Sequence, residues 1–255
     1  LMDISVIILT FNEEIHIRRC IENVTLLTRD VFVVDCFSTD KTAEEVLKFG
    51  SSKVLKCGSA ENGRRETGDG RREEVAVGSG SGQGAGDGGE GCEIRFVQHA
   101  WPGTQALQFN WALDHLPIKT KWVLRLDADE YLYPELIDEI KAKLASLPED
   151  VTGVAFKRRH IFLGRWMRRG TYPVTLIRLF RYGKARCEQR LMDEHIELLE
   201  GRSVTFDGDF ADHNLNDIGW WTSKHNGYAL REAVDLLDLE YGILEGSNAP
   251  SALVQ

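Results

Sequence analysis

Three short runs of consecutive, largely apolar residues constrain the fold of this 255-residue chain more than any other feature. They cover residues 4–9, 31–34 and 122–126, and an acidic or polar residue follows each run. Continuous apolar runs, as opposed to alternating ones, are typical of parallel strands that are buried on both faces. A segment of helical character follows each of the first two runs. The order strand, helix, strand, helix therefore predicts right-handed βαβ units, and hence an α/β fold with a mostly parallel central sheet flanked by helices.

Weaker patterns extend this architecture over the rest of the chain. Apolar periodicity and a proline at a helix start predict helices over 104–115, 134–147 and 218–241. Short β-branched or aromatic runs predict further strands at 53–55, 93–97, 151–157 and 176–180. We predict a single domain.

Residues 58–91 interrupt the pattern. Half of the 24 glycines of the chain lie here, together with seven acids and four arginines, and there is no aromatic residue. Such a composition buries too little apolar surface to offset the entropy of ordering the chain. We predict a disordered, Gly-rich insertion that loops out of the domain. Its glycines lack the spacing of a phosphate-binding loop.

Charge is distributed unevenly along the chain. The net charge is −9, yet residues 157–190 contain eleven basic residues and the single acid Glu188. A basic region on an acidic protein favours an anionic partner, although an ordinary solvated face is the alternative. The isoelectric point of about 5.3 argues against nucleic acid. The basic residues are Lys157, Arg158, Arg159, Arg165, Arg168, Arg169, Arg178, Arg181, Lys184, Arg186 and Arg190.

Cysteine usage and hydropathy favour a cytoplasmic protein. The five cysteines form no CxxC pair, and an odd number is a poor disulfide framework. Residues 1–4 lack the basic start and the cleavage site of a signal peptide. No run reaches the roughly 18 apolar residues that a transmembrane helix requires. Peripheral contact with a membrane stays open.

Two aspartates directly after the third apolar run give the strongest chemical signal. Asp127 and Asp129 are one residue apart, and ligands of open α/β sheets bind outside the carboxyl ends of the strands. Two carboxylates there suit Mg²⁺ or Mn²⁺, which proteins hold with one or two carboxylates plus substrate phosphates. Asp-rich turns are common, so it is the position after a strand that gives this pair its weight.

Polar residues also follow the first two strands. Thr10 and Glu13 lie at the tip of the first, and Asp35 at the tip of the second, where an acid can accept hydrogen bonds from a ribose or base. The trio 38–40 fits better as a cap of the following helix. We expect the three strand tips to converge on one edge of the sheet.

In combination, several segments resemble family 2 glycosyltransferases of the GT-A fold, and within them the group related to lipopolysaccharide-core glucosyltransferases. The resemblance covers nearly the whole chain apart from the insertion. Phe11 stands where the family more often has Tyr, and Cys36 where many members have a second Asp. The segments that carry it are 5–14 (SVIILTFNEE), 34–42 (VDCFSTDKT), 108–113 (QFNWAL), 122–130 (WVLRLDADE), 193–195 (DEH) and 224–229 (KHNGYA).

The resemblance implies a division of roles along the chain. Residues 1–130 would form the nucleotide-sugar-binding half, 131–214 the acceptor side, and 215–255 a C-terminal helix and tail. A divalent metal, Mg²⁺ or Mn²⁺, would be held by Asp127 and Asp129, with His213 as a further candidate ligand, although a lone histidine is as often structural. The donor-binding residues would be Thr10, Phe11, Glu13, Asp35, Gln108, Asn110 and Asp127.

The resemblance also implies a transfer that inverts the anomeric carbon, which requires a base for the acceptor hydroxyl. Glu194 is the favoured candidate and Asp193 the second, while a surface pair of acids is the alternative. The basic region would then receive an anionic glycan or a lipid-linked acceptor. Trp220 and Trp221 fit either the core or an interfacial anchor.

Two other functions are open at this point. A sugar nucleotidyltransferase would require a Gly-rich, basic turn after the first strand, whereas residues 10–14 are acidic and lack glycine. A non-catalytic nucleotide-sugar-binding protein on the same fold is opposed by the retention of Asp127, Asp129, Asp193 and Glu194.

Overall fold

The computed structural model describes residues 2–49, 93–190 and 194–242 in full, and residues 53–56 by their backbone. The predicted insertion at 58–91, the candidate base Asp193 and the tail after residue 242 lie outside the described residues. The helices are α1 (Ile17–Val24), α2 (Thr42–Leu47), α3 (Gln105–His115), α4 (Pro134–Lys143) and α5 (Ile218–Tyr241). The strands are β1 (Ile4–Thr10), β2 (Asp30–Asp35), β3 (Lys53–Lys56), β4 (Glu93–Gln98), β5 (Trp122–Asp127), β6 (Glu130–Leu132), β7 (Val151–Phe162), β8 (Arg165–Trp166), β9 (Val174–Arg181), β10 (Ala185–Cys187), β11 (Ile196–Leu198) and β12 (Arg202–His213).

One large sheet organises the molecule, in the order β3-β4-β2-β1-β5-β9-β7-β12-β6. The first five strands of this order, from β3 to β5, are parallel to one another, as the apolar runs predict. Beyond β5 the sheet is mixed, because β9 is antiparallel to both β5 and β7, whereas β12 is parallel to β7. The predicted α/β fold with helices around a central sheet is confirmed, and the second half of the sheet is less parallel than expected.

The sheet is covered on both faces, which explains the unbroken apolar runs. Every residue of β1 is buried, and its alternate side chains enter different cores. Ile4, Val6 and Ile8 pack with α1 and α4 on one face, while Ile7 and Leu9 pack with α3 on the other. Each large apolar side chain buried in this way contributes about 1.5–3 kcal/mol. The sheet is thus a rigid platform for whatever its strand tips carry.

The predicted C-terminal helix is confirmed at the same bounds, Ile218–Tyr241. Asp217 caps it by accepting a 2.8 Å hydrogen bond from the Trp220 amide, and Gly242 ends it with a φ of 62°. Asp238 is its single buried residue, so most of α5 lies on the surface. In the described part of the chain, no helix has both the length and the hydropathy needed to span a bilayer.

Several predicted boundaries shift. The fourth helix, predicted over 134–147, ends at Lys143 and is followed by a 3₁₀ turn at Leu144–Ser146. The strand predicted for 151–157 continues to Phe162, because β7 pairs with β12 along that extension.

Candidate active site

A cavity of about 1120 Å³ opens at the carboxyl ends of β1, β2 and β5. Because β2, β1 and β5 are adjacent and parallel, their tips lie on one edge of the sheet. The far wall is the first half of α5, from Trp220 to Glu232. Seven of the predicted site residues line this cavity: Thr10, Phe11, Glu13, Gln108, Asp127, Asp129 and Glu194. Asp35, Asn110 and His213 are not among the lining residues.

Asp127 ends β5 between two arginines. Arg125 Nη2 lies 3.9 Å from its Oδ1, and Arg178 Nη2 lies 3.8 Å from its Oδ2. Its backbone amide donates a 3.0 Å hydrogen bond to Glu130, which in turn is paired with Arg178. Oδ1 itself is buried and has no hydrogen-bond partner among the described residues. A buried carboxylate oxygen without a donor is costly, so its presence indicates a ligand position.

Asp129 lies two residues further on and, unlike Asp127, is not flanked by two arginines among the described residues. Its Oδ2 accepts a 3.0 Å hydrogen bond from the side-chain Nδ2 of Asn214. Burial, followed by the charges of Asp212, Glu13 and Asp127, raises the pKa of Asp129 to about 6. A carboxylate among other carboxylates is destabilised unless a cation joins them.

The donor set fits a divalent cation of the kind the sequence implies. Seven carboxyl groups and five Lys or Arg side chains line the cavity, so acidic side chains outnumber basic ones there. Within the described residues, no three His, Cys, Asp or Glu side chains form a complete metal site by themselves. A two-carboxylate arrangement that is completed by substrate phosphates is how Mg²⁺ and Mn²⁺ are commonly held. The orphaned Oδ1 of Asp127 and the destabilised carboxylate of Asp129 are the two suited positions.

Glu13 is held at the tip of β1 by a buried histidine. His16 Nε2 accepts a 2.8 Å hydrogen bond from the Leu215 amide, so Nδ1 carries the proton. That Nδ1 lies 2.5 Å from the Glu13 carboxylate. Since Leu215 lies in the loop that leads into α5, His16 connects this loop to the first strand tip.

Thr10 and Gln108 each present a polar atom without a partner. Thr10 is 4% exposed and Gln108 is fully buried. Thr10 Oγ1 and Gln108 Nε2 make no hydrogen bond to a described residue, whereas Gln108 Oε1 is 2.6 Å from His99 Nδ1. Both side chains line the cavity, so both are available to a polar ligand there.

Asp35 is fully buried and its carboxylate is engaged within the second loop. It accepts hydrogen bonds from the Ser38 amide at 3.0 Å and the Ser38 hydroxyl at 2.5 Å. Its neighbour Cys36, and not Asp35, lines the cavity. Of the trio 38–40, Asp40 accepts a 2.9 Å hydrogen bond from the Thr42 backbone amide at the start of α2, although the N-cap residue itself is Lys41.

Asn110 also has internal partners. Its amide exchanges two hydrogen bonds with the backbone of Cys187, at 2.8 and 2.9 Å. This bidentate pair fixes α3 to β10. In the structure, Asn110 therefore positions the scaffold behind the cavity.

His213 lies at the end of β12, beside Asp129. Its amide donates a 3.1 Å hydrogen bond to the Asp129 carbonyl, while its Nδ1 is 3.2 Å from Arg19 Nη1. Arg19 Nη2 also donates to the carbonyls of Asp129 and His213. Burial, then Arg19 and His16, lower the pKa of His213, so its ring stays neutral at physiological pH. The flanking residues Asp212 and Asn214 line the cavity.

Glu194 lies on the side of the cavity near α3 and is half-buried. Burial raises the pKa of this carboxyl, while hydrogen bonds from backbone amides, including that of Ala106, and the charge of Arg125 oppose the rise. A carboxylate with a raised pKa is a stronger general base.

Several charged residues that line the cavity did not enter the predicted site, and three of them are basic residues of particular interest. Arg125 and Arg178 are 3% and 7% exposed, and Lys224 extends from α5. Arg125 interrupts an otherwise apolar strand, which is a signal that sequence reasoning could have used. In the sequence, Arg178 is one of eleven residues of the basic region, and Lys224 belongs to the segment 224–229 that resembles the family, so neither stands out individually.

The basic region is largely neutralised. The structure pairs Lys157 and Arg159 with Asp209, Arg158 with Asp212, Arg178 with Glu130, Lys184 with Glu200, Arg186 with Asp114, and Arg190 with Glu188 and Asp235, while Arg181 donates to backbone carbonyls. Arg165, Arg168 and Arg169 are exposed and form no ion pair with a described carboxylate. They lie on one segment that follows the β7–β8 turn.

No protein-family model matches the sequence. Among solved structures, the chain is similar to S. aureus TarS 1-349 in complex with UDP-GlcNAc, at 19% identity and a TM-score of 0.42, with 64% of this chain aligned to 36% of that one. It is similar to mannosyltransferase PcManGT from Pyrobaculum calidifontis in complex with GDP-Man and Mn²⁺ (22% identity, TM-score 0.39, 62% and 36%). It is also similar to glucosyl-3-phosphoglycerate synthase from Mycobacterium tuberculosis in complex with Mn²⁺ and UDP-Glc (16%, 0.37, 62% and 43%). The aligned region spans less than half of each of these chains, and the likeness is one of fold.

Proposed function

We propose that this chain is a metal-dependent, inverting glycosyltransferase that moves a sugar from a nucleotide diphosphate to an acceptor hydroxyl. The observation that carries the proposal is the buried, unpartnered Oδ1 of Asp127 beside the destabilised carboxylate of Asp129. Both face a cavity that is large enough for a nucleotide sugar. The sequence segments quoted above support the same conclusion, and they favour assembly of cell-surface glycans of the lipopolysaccharide type.

The residues have separate roles in this proposal. Asp127 and Asp129 hold the divalent cation, which when bound neutralises the charge that develops on the leaving diphosphate. Thr10 Oγ1 and Gln108 Nε2 supply hydrogen bonds to the donor, and Phe11 contributes an apolar wall. Asp35 contributes indirectly, because its hydrogen bonds with Ser38 hold the loop that contains cavity-lining Cys36.

Glu194 serves as the base in the proposed reaction. It accepts the proton of the acceptor hydroxyl while that oxygen attacks the anomeric carbon and the bond to the diphosphate breaks. General-base assistance of this kind contributes about 10²–10⁴-fold. Asp193, the second candidate, lies outside the described residues.

The nature of the products tests this function. Purified protein is incubated with Mn²⁺ and a panel of nucleotide sugars, and nucleoside diphosphate release is measured against pyrophosphate formation. We expect release of nucleoside diphosphate that Asp129→Asn abolishes and Glu194→Gln reduces at least 100-fold with donor binding intact. Donor binding without turnover would instead favour the non-catalytic alternative. In a parallel incubation with sugar phosphates and nucleoside triphosphates, pyrophosphate formation would favour a nucleotidyltransferase.

The acceptor side of the proposal rests on Arg165, Arg168 and Arg169. Exposed Leu163 and Met167 accompany them, so the segment combines cationic and apolar groups. It adjoins the cavity, because Phe162 at the end of β7 packs 5.1 Å from the ring of cavity-lining Trp221. An anionic acceptor, such as a phosphorylated glycan or a lipid-linked diphosphate at a membrane surface, fits this chemistry.

Charge reversal separates this acceptor role from a merely solvated face. The triple variant R165E/R168E/R169E should lose acceptor use and binding to vesicles of anionic lipid, in a salt-sensitive manner, with donor hydrolysis retained. The exposed lysines 119, 121 and 141, reversed together, give a control with the same change in net charge. Equal acceptor kinetics in the two variants would contradict the acceptor role and leave the donor chemistry untouched.

A further inference from the structure

Lys224 occupies an unusual position on α5, where it lines the wall of the cavity opposite the strand tips. The side chain is half-buried. Its Nζ lies 4.6 Å from the centre of the Trp220 ring and 5.6 Å from that of Tyr228. These residues are one helical turn before and after Lys224, so the two rings bracket the ammonium group and fix its direction.

The other buried cations of the cavity have carboxylate partners, and Lys224 does not. Arg178 is paired with Glu130, and Arg125 Nη2 lies 3.9 Å from Asp127 Oδ1. No carboxylate of the described residues lies within 4.0 Å of Lys224 Nζ. An ammonium group is compact and strongly hydrated, so partial burial without a counterion is unfavourable unless an anion enters the cavity.

The surrounding charges keep Lys224 protonated. Burial alone lowers its pKa, but Tyr228, Asp129 and Glu13 outweigh this effect and raise the pKa above its ordinary value. Two of these three are the acids at the tips of β5 and β1. The ammonium therefore lies across the cavity from the carboxylates that hold the cation in the proposed function.

We propose that Lys224 is a further donor-binding residue, which donates hydrogen bonds to the diphosphate on the side opposite Asp129. An anion between a metal cation at Asp129 and the ammonium of Lys224 would provide a negative partner for both positive charges. The inference rests on the proposed function in one respect, that the ligand is a nucleoside diphosphate.

The position of Lys224 on α5 has a structural consequence. Since Asp238 is the one buried residue of the helix, α5 has little apolar packing to hold it against the sheet. A diphosphate that contacts both Asp129 and Lys224 connects α5 to the tip of β5. Donor binding should therefore protect the backbone amides of α5 from hydrogen exchange.

Calorimetric titrations with Mn²⁺ and UDP, UMP, GDP or GMP test the assignment. The variants are Lys224→Met, Lys224→Arg and the matched control Lys141→Met, which removes an exposed lysine of α4. Loss of a charge-assisted contact to the diphosphate should weaken binding of the preferred diphosphate at least tenfold in Lys224→Met. The monophosphate affinity should change less than threefold. Lys224→Arg should retain most of the diphosphate affinity, and Lys141→Met all of it.

Hydrogen exchange of α5 provides the second readout. Mn²⁺ and diphosphate should slow exchange in residues 218–232 of the wild-type protein and not in Lys224→Met. Wild-type diphosphate affinity in Lys224→Met, or equal losses for diphosphate and monophosphate, overturns the inference while the proposed function stands. Absence of diphosphate binding by the wild-type protein overturns both.

Discussion

Replacing Asp129 by Asn should stabilise the metal-free protein, although it should abolish the proposed activity. The carboxyl of Asp129 has a pKa of about 6 in the folded chain, against 3.8 for an unperturbed aspartate, because it is buried among other carboxylates. The folded state consequently binds this proton more tightly than the unfolded state does. By linkage, the free energy of unfolding falls as the pH rises from 3.8 to about 6. Above that interval the full destabilisation of the folded state by ionised Asp129 is present.

The size of the effect follows from the shift. A difference of about two pKa units corresponds to about 3 kcal/mol at 1.36 kcal/mol per unit. The carboxylate borders an open cavity, where solvent screens part of the interaction, so we expect about 1–3 kcal/mol at pH 7.5. As the pH falls to 3.8 and below, the difference between Asp129→Asn and the wild type should shrink toward zero, since Asp129 is then protonated in the unfolded state as well as in the folded state.

Urea unfolding in EDTA at pH 4.5, 6 and 7.5 measures this difference, with Asp138→Asn as a control at an exposed position of α4. Addition of Mn²⁺ and a bound nucleotide at 100 times its dissociation constant should stabilise the wild type by about 2.7 kcal/mol and leave Asp129→Asn unchanged. The difference in free energy of unfolding between Asp129→Asn and the wild type then becomes smaller or changes sign. A pH-independent difference, or an Asp129→Asn protein that is less stable at pH 7.5 in EDTA, would refute the reasoning.

Two further predictions concern the scaffold of the site, and both are measured by urea unfolding. A Cβ at Gly208 would lie 2.5 Å from the Cα of Leu136, so Gly208→Ala should lower the free energy of unfolding by about 3 kcal/mol. A Cβ at Gly227, in the exposed part of α5, meets no atom within 4 Å, so Gly227→Ala should raise the free energy of unfolding by about 0.5–1 kcal/mol. Equal effects of the two substitutions would contradict the close packing of α4 on β12. Arg178→Met leaves Glu130 buried without its counterion and should cost about 3–5 kcal/mol, part of which Glu130→Gln should restore in the double variant; additive losses would show that the two side chains are not coupled.

The parallel half of the sheet could be predicted from the sequence because its signals are local. Each of β1, β2 and β5 is a short apolar run that ends at a polar residue, and adjacent parallel strands bring their tips to one edge. The second half could not be predicted in this way. β12 pairs in parallel with β7 although about 50 residues separate them, and the three-residue β6 pairs with β12. Such pairings depend on tertiary packing and leave no periodic pattern.

The site residues also differ in whether local sequence or tertiary packing determines their position. Thr10, Glu13, Asp127 and Asp129 could be proposed because strand tips face the ligand in α/β sheets, and all four line the cavity. Asp35 and Asn110 belong to matching sequence segments, and in the folded chain their polar atoms form hydrogen bonds with Ser38 and Cys187; a donor-binding role for them stays a prediction. A motif match identifies a residue type at a position but does not determine which way its side chain points.

The basic region shows why composition predicts charge better than it predicts a binding surface. Eleven basic residues against one acid, counted along residues 157–190, suggest an extended cationic face. In the folded chain, β12 and its neighbours supply acids that are distant in sequence, such as Asp209 and Asp212, and these neutralise most of the cluster. The remaining exposed arginines lie on a single segment near the mouth of the cavity. Inside the cavity the balance is the opposite, with an excess of carboxylates around Asp129 and one ammonium, Lys224, opposite them. Sequence counting could not separate these two environments, because both depend on strands and helices that meet only in the folded sheet.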